Sequence, residues 1–277
     1  MRITGRGAWG HPPDREESLA TLRRLVDAGV NLIDTAASYG PHISEELIAE
    51  ALHPYPTGLV IATKGGYTRS GPDDWTIDGR PERLAADLDG SLRRLRLDHI
   101  DLYQLHRIDP AVPEEVQFGF LQRAQQQGKI RHLGLSEVGV AAIQRAQRFF
   151  DVASVQNRYN LTDRRWEDVV EFCDRQRIAF LPWSPLDGVK CSHSLAGRWI
   201  RAARRALTPA STVARIARRH DATPAQVALA WLLHRSDVML PIPGTSRRRH
   251  LDENIAAMQL DLTCEEFASL RHIGDAD

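Results

Sequence analysis

Three stretches decide the fold: Val30-Asn31-Leu32-Ile33-Asp34, Leu59-Val60-Ile61-Ala62-Thr63-Lys64 and Ile100-Asp101-Leu102-Tyr103-Gln104-Leu105-His106. Each is a short apolar run that closes on a polar residue. Four more follow: Ile130 to Ser136, Val152 to Gln156, Ile178 to Trp183 and Val238 to Gly244. Helix signals fill nearly every interval. Asp14-Arg15-Glu16-Glu17 reads as a capping box ahead of Leu19, Leu22 and Leu25, with a stop at Gly29. Pro81 opens a helix with Leu84, Leu88, Leu92 and Leu95 on one face. Thr223-Pro224-Ala225-Gln226 and Thr263-Cys264-Glu265-Glu266 mark two later helix starts. Short strands alternating with helices predict a parallel sheet, and 277 residues suit one (β/α)8 barrel. Chemistry in such barrels sits at the C-terminal strand ends. Asp34, Lys64 and His106 fall there, with Tyr39 shortly after Asp34.

The reading finds seven strands where a closed barrel needs eight. The first should precede Asp14, yet Met1 to Gly10 offers little apolar length and three glycines. Either Arg2-Ile3-Thr4 forms a shortened first strand, or the strand is missing because the chain starts late. A missing strand would leave an open sheet edge. No linker or low-complexity tract interrupts residues 1–277, so one domain is expected. Asp187 to Pro209 forms an irregular, Arg-rich insert, read as a solvated flap.

Bulk properties exclude several classes. The formal net charge is +0, giving no global attraction to nucleic acid or anionic membrane. Hydrophobic content of 42% supports a core, but no apolar run approaches a membrane span. The N-terminus has no apolar signal-peptide core. Cys173, Cys191 and Cys264 are widely spaced and form no CxxC pair, which fits a reduced, cytoplasmic protein. The histidines are scattered, and no metal is implied. A monomer is expected.

The rim residues suit carbonyl chemistry. When hydride reaches a carbonyl carbon, charge develops on oxygen, which then needs a proton and hydrogen-bond donors. Tyr39 can supply the proton. A lysine ammonium about 4 Å away contributes roughly 4 kcal/mol at an effective dielectric near 20, which bounds the fall in the phenol pKa at about three. Burial would offset part of that. Asp34 can hold Lys64 charged and in place, and His106 can orient the carbonyl oxygen. Singly, each of these residues has an ordinary packing, capping or solvated role. Together at successive strand ends they form a proton-transfer constellation.

The segments Asp34-Thr35-Ala36-Ala37-Ser38-Tyr39-Gly40, Thr63-Lys64-Gly65-Gly66, Leu105-His106, Gly134-Leu135-Ser136, Val155-Gln156-Asn157 and Pro182-Trp183-Ser184-Pro185-Leu186 resemble, in order, the aldo-keto reductase family. The resemblance covers nearly the whole chain. It implies a TIM barrel that reduces carbonyls with NADPH, through Tyr39 as acid, Lys64 and Asp34 as its tuning pair, and His106 as the orienting residue. It also implies that Ser136 and Gln156 hold the nicotinamide carboxamide and that Trp183 stacks on the nicotinamide ring. Ser184, Leu186 and Gly188 would run along the pyrophosphate. Gly244, Thr245 and Ser246 precede Arg247, Arg248 and Arg249, cations that oppose the dipole where a helix should begin. An anion at that helix start would relieve the conflict. The resemblance names it as the 2′-phosphate of NADPH, held by Arg247 and Arg249, with Glu253 and Asn254 near the adenine.

Three departures stand out. Glu137 replaces the asparagine that commonly follows Ser136, and cannot donate as an amide does. His250 stands where many members have arginine. The hairpin and first strand that members usually carry are not evident. The partner expected is a small aldehyde or ketone, pyridoxal-like and quinone-like compounds among them. Two other classes compete: an N-terminally truncated, non-catalytic cofactor-binding barrel, and a lyase forming a Schiff base on Lys64. Substrate choice would lie in rim loops, here Gly7 to His11, Tyr67 to Asp78 and the Arg-rich insert, with Trp9 and Trp75 lining an apolar pocket.

Overall fold

Asp14 caps the first helix as its sequence predicts, its carboxylate accepting from the Glu17 N–H at 2.9 Å. The computed structural model describes residues 2–187 and 209–274. They fall into two compact units, Met1–Asn157 with Gly244–Leu251 and Arg158–Pro243 with Asp252–Asp277. Gly188 and the body of the Arg-rich insert, with Cys191, lie outside the described residues.

The first unit runs α1 (Arg15–Asp27), β1 (Leu32–Asp34), α2 (Ile43–Leu52), β2 (Val60–Gly65), β3 (Tyr67–Thr68), β4 (Thr76–Ile77), α3 (Pro81–Leu95), β5 (Ile100–Leu105), α4 (Glu114–Gln126), β6 (Ile130–Ser136), α5 (Val140–Ala146) and β7 (Val152–Gln156). Strands β1, β2, β5, β6 and β7 pair in that order, all parallel. β3 and β4 form a separate antiparallel hairpin within what the sequence suggests is a loop. Helix α3 packs on β2 and α4 on β6. Leu19 and Leu22 are buried on α1, Leu84 and Leu88 on α3, and Phe118 and Leu121 on α4. Such apolar burial, about 1.5–3 kcal/mol per large side chain, holds parallel sheets covered.

The register positions the chemistry. Lys64 pairs with Gln104, Gln104 with Gly134, and Gly134 with Ser154. Because side chains alternate with period two, these residues share one face with Asp34, Ser136 and Gln156. Ile33, Ile61, Tyr103, Leu133 and Val155 fall on the opposite face, all buried.

The second unit contains α6 (Glu167–Gln176), β8 (Ala179–Phe180) and helices over Pro209–Arg219, Pro224–Arg235 and Cys264–Arg271. Both expected capping boxes close, Thr223 with Gln226 and Thr263 with Glu266. Trp231 stacks between Tyr159 and Phe267, with centroids 5.9 and 6.1 Å away.

Three expectations are corrected. Val238 to Gly244 is not a full strand; it contributes one parallel bridge, Met239 to Phe180. Arg2 to Thr4 forms no strand. Ile3 is fully buried, but the chain then turns through Arg6–Ala8 and left-handed Gly7 and Gly10, and meets Gly40 through a bridge at Trp9. Glu17 does not close a capping box with Asp14; its side chain reaches Arg248 instead.

Candidate active site

Lys64 is completely buried, and its three N–H bonds are all used. They reach Asp34 Oδ1 at 2.8 Å, Asp34 Oδ2 at 2.7 Å and the Thr35 carbonyl at 2.7 Å. A buried ammonium without such partners is strongly destabilising. Asp34 also accepts from Gln156 Nε2 at 2.9 Å. Gln156 Nε2 donates again to Gln104 Oε1 at 3.1 Å, and Gln104 Nε2 donates to Ser154 Oγ at 3.1 Å. Gly134 makes this closure possible, since a Cβ there would lie 2.2 Å from Ser154 Oγ. Gln104 and Ser154 carry no motif, but their place two residues before His106 and Gln156 puts them on the same face.

Tyr39 enters from the loop after β1. Backbone bonds from Thr35 to Ala62 and from Ala37 to Lys64 fasten that loop to β2. The Lys64 ammonium lies 5.4 Å from the Tyr39 ring centroid. The sequence suggests a net lowering of the phenol pKa, and the structure reverses it. Burial pushes Tyr39 above its ordinary value, outweighing the pull of Lys64, and Asp34 adds to the rise. The phenol is therefore protonated throughout the neutral range, as a proton donor must be.

His106 sits just beyond β5, its ring 6.0 Å from Tyr39, 4.7 Å from Tyr67 and 6.2 Å from Trp75, edge-on to each. Burial, reinforced by Lys64, Arg107 and Arg69, holds its pKa well below the ordinary value. The imidazole is thus neutral, with one donor and one acceptor nitrogen. Its Nδ1 is buried without a protein partner.

Two arginines escape sequence reasoning. Arg107 Nη1 donates to the His106 carbonyl at 2.6 Å and to Ser136 Oγ at 2.9 Å. Its position directly after His106 was the available signal. Arg69 stacks 3.6 Å from the Trp75 ring centroid and donates to the carbonyls of Gly7, Ala8, Ser38, Gly71 and Asp74. Nothing local in the sequence marks it. Trp75 joins Tyr67 and Tyr39 around His106, while Trp9 lies 5.7 Å from the Arg69 guanidinium.

The Gly244 turn belongs to the same unit. Gly244 runs against Arg2, and buried Thr245 accepts from the Arg247 N–H at 3.1 Å. Arg247 and Arg249 are exposed, Ser246 is partly so, and a helix follows over Arg248–Ala256. The sequence suggests open amides at this helix start. Instead Glu17 accepts from both the backbone N–H (3.0 Å) and the guanidinium of Arg248. Arg247 and Arg249 flank Arg248 with their side chains exposed. Glu253 and Asn254 lie partly buried on later turns of the helix.

In the second unit, Trp183 bridges to Arg158, whose guanidinium lies 5.5 Å from the indole. Ser184 adopts φ 51°, and its carbonyl accepts from Asn160 Nδ2 at 3.1 Å. Leu186 is partly buried. No cluster of three metal-binding side chains occurs among the described residues, and no described helix is long and apolar enough to cross a membrane.

Comparison with known proteins gives the family. The model of the aldo/keto reductase family matches residues 3–275. An uncharacterized oxidoreductase of Schizosaccharomyces pombe is 46% identical over all of this chain and 85% of its own length. Pyridoxine 4-dehydrogenase of Escherichia coli is 36% identical over 98% of this chain and 91% of its own. A Klebsiella pneumoniae aldo-keto reductase, solved in complex with NADPH, superimposes with a TM-score of 0.77 at 26% identity, covering 98% of this chain and 88% of its own. The chain therefore belongs to the aldo/keto reductase family: it is an oxidoreductase, and its fold class is the (β/α)8 barrel.

Proposed function

We propose that this enzyme reduces a small aldehyde or ketone to the alcohol, with NADPH as reductant and Tyr39 as proton donor. It would act as a monomeric, cytoplasmic catalyst, with residues 1–277 as one functional domain. The observation that carries the reading is the buried Asp34–Lys64 pair beside a protonated Tyr39 and a neutral His106. The residues present fit the cofactor. Ser136 and Gln156 offer a hydroxyl and an amide side by side in register, and Arg247 and Arg249 offer exposed cations at the turn after Gly244.

NADPH, when bound, supplies the hydride that adds to the carbonyl carbon. The carbonyl π pair then moves onto oxygen, and the Tyr39 hydroxyl delivers its proton there. Lys64 favours the phenolate left behind, an interaction that strengthens only as charge develops. His106 offers its one N–H to the carbonyl oxygen and fixes its direction. Trp183, Ser184, Leu186 and Gly188 would line the nicotinamide and pyrophosphate, and Glu253 and Asn254 the adenine. The edge-on aromatic rings around His106, and the relative named for pyridoxine, make pyridoxal the first substrate to try. A Schiff base on Lys64 is disfavoured, because all three of its N–H bonds are committed.

Titration of tryptophan fluorescence should show tight quenching by NADPH and much weaker quenching by NADH. Tyr39→Phe should lower pyridoxal reduction by about 10²–10⁴-fold while NADPH affinity stays within a few-fold. Unchanged reduction would remove Tyr39 as the acid.

A further inference from the structure

Arg107 makes its side-chain contact with the site at Ser136, and its contacts have a definite polarity. Its Nη1 donates to Ser136 Oγ, so that hydroxyl oxygen accepts from the guanidinium and keeps its only proton to donate elsewhere. Gln156, paired with Ser136 across β6 and β7, has the opposite polarity. Asp34 already binds Lys64 and can only accept, so Gln156 must turn its Nε2 toward Asp34, where it also meets Gln104 Oε1. The Gln156 oxygen is left to accept. Adjacent strands therefore present one fixed donor and one fixed acceptor, which is the complement of a primary carboxamide. The residue after Ser136 is Glu137, held at φ 55°, a carboxylate that offers no amide donor.

We propose that Arg107 is a positioning residue for the nicotinamide carboxamide. It polarises the Ser136 hydroxyl into a donor toward the carboxamide oxygen and supplies the cationic donor that Glu137 does not. This rests on the cofactor reading above. Its physical basis is that a hydroxyl accepting a charge-assisted bond donates more strongly in turn. A carboxamide fixed at both ends would set which face of the ring meets Tyr39.

The test measures binding, without turnover, by fluorescence titration of purified full-length variants. Arg107→Met removes every donor at similar length, and Arg107→Lys restores a cation. NADPH affinity should fall on the order of tenfold in Arg107→Met and recover partly in Arg107→Lys. Affinity for 2′,5′-ADP, which has no nicotinamide, should not change. The 3-acetylpyridine analogue of NADPH keeps the carbonyl and lacks the NH2 group, and should lose the same factor. Ser136→Ala combined with Arg107→Met should be no weaker than about twofold below the worse single variant, since both act on one bond. Unchanged NADPH affinity in Arg107→Met, a parallel loss of 2′,5′-ADP binding, or full additivity would each overturn the assignment. In a separate turnover assay of Arg107→Met, a rise in KM confined to carboxylate-bearing aldehydes would also overturn it and give Arg107 to the substrate. If wild-type protein binds 2′,5′-ADP and NADPH equally poorly, the cofactor reading itself falls, and this assignment with it.

Discussion

Two ion pairs of nearly equal length lie in the first unit. Lys64 and Asp34 are 2.7 Å apart with side chains 0% and 6% exposed, and Arg248 and Glu17 are 3.0 Å apart at 57% and 27%. The contact chemistry is alike and the surroundings are opposite. In the first, low dielectric makes either charge costly alone, so the pair must stay together and can act on Tyr39 and Gln156. In the second, water competes with both partners, and the carboxylate serves mainly to occupy a helix start crowded with cations.

The comparison can be broken at several points. Asp34→Ala leaves a buried ammonium uncompensated and should lower stability by about 3–5 kcal/mol in urea unfolding. A loss no larger than that of a surface pair would show that Lys64 is not desolvated. The next effect concerns His106. Its pKa is depressed on folding, so below about pH 6.5 the unfolded chain binds a proton that the folded chain refuses. Its contribution to stability is present above the unfolded value and is lost as pH falls toward the folded one. Stability should drop by up to about 1.4 kcal/mol per pH unit in that window, and His106→Gln should flatten the slope of melting temperature against pH between 7 and 5. An unaltered slope would show that His106 is charged in the folded state. The smallest effect is expected at Glu17. Glu17→Gln should leave the melting temperature unchanged within error, with any residue of the pair erased by high salt.

Legibility in the sequence followed the same divide. β6 and β7 were readable to the residue because each closes on a buried stretch and is bounded by turns, and Asp34, Lys64 and His106 were readable because parallel strands put their ends at one rim. The Val238 run reads like a strand, but a single bridge forms, since apolar character alone does not specify pairing. The Tyr39 pKa could not be given its sign, because it depends on how far burial outweighs the lysine, and burial is a tertiary quantity. Glu17 satisfies the spacing of a capping box, yet Arg248, 231 positions away, offers a backbone N–H and a guanidinium together. Arg69 was invisible as a site residue for a related reason: nothing in a sequence tells a solvated arginine from one whose carbonyl partners arrive from other loops.

Arg69 has a consequence for rebuilding this protein. A guanidinium carries five N–H bonds, and here five carbonyls, from Gly7, Ala8, Ser38, Gly71 and Asp74, receive them. Three stretches far apart in the chain are thereby tied at one knot beside the Tyr39 loop. They are a single transplantable part: a graft that brings the hairpin without the N-terminal turn, or the turn without Arg69, would carry loose cord and no knot.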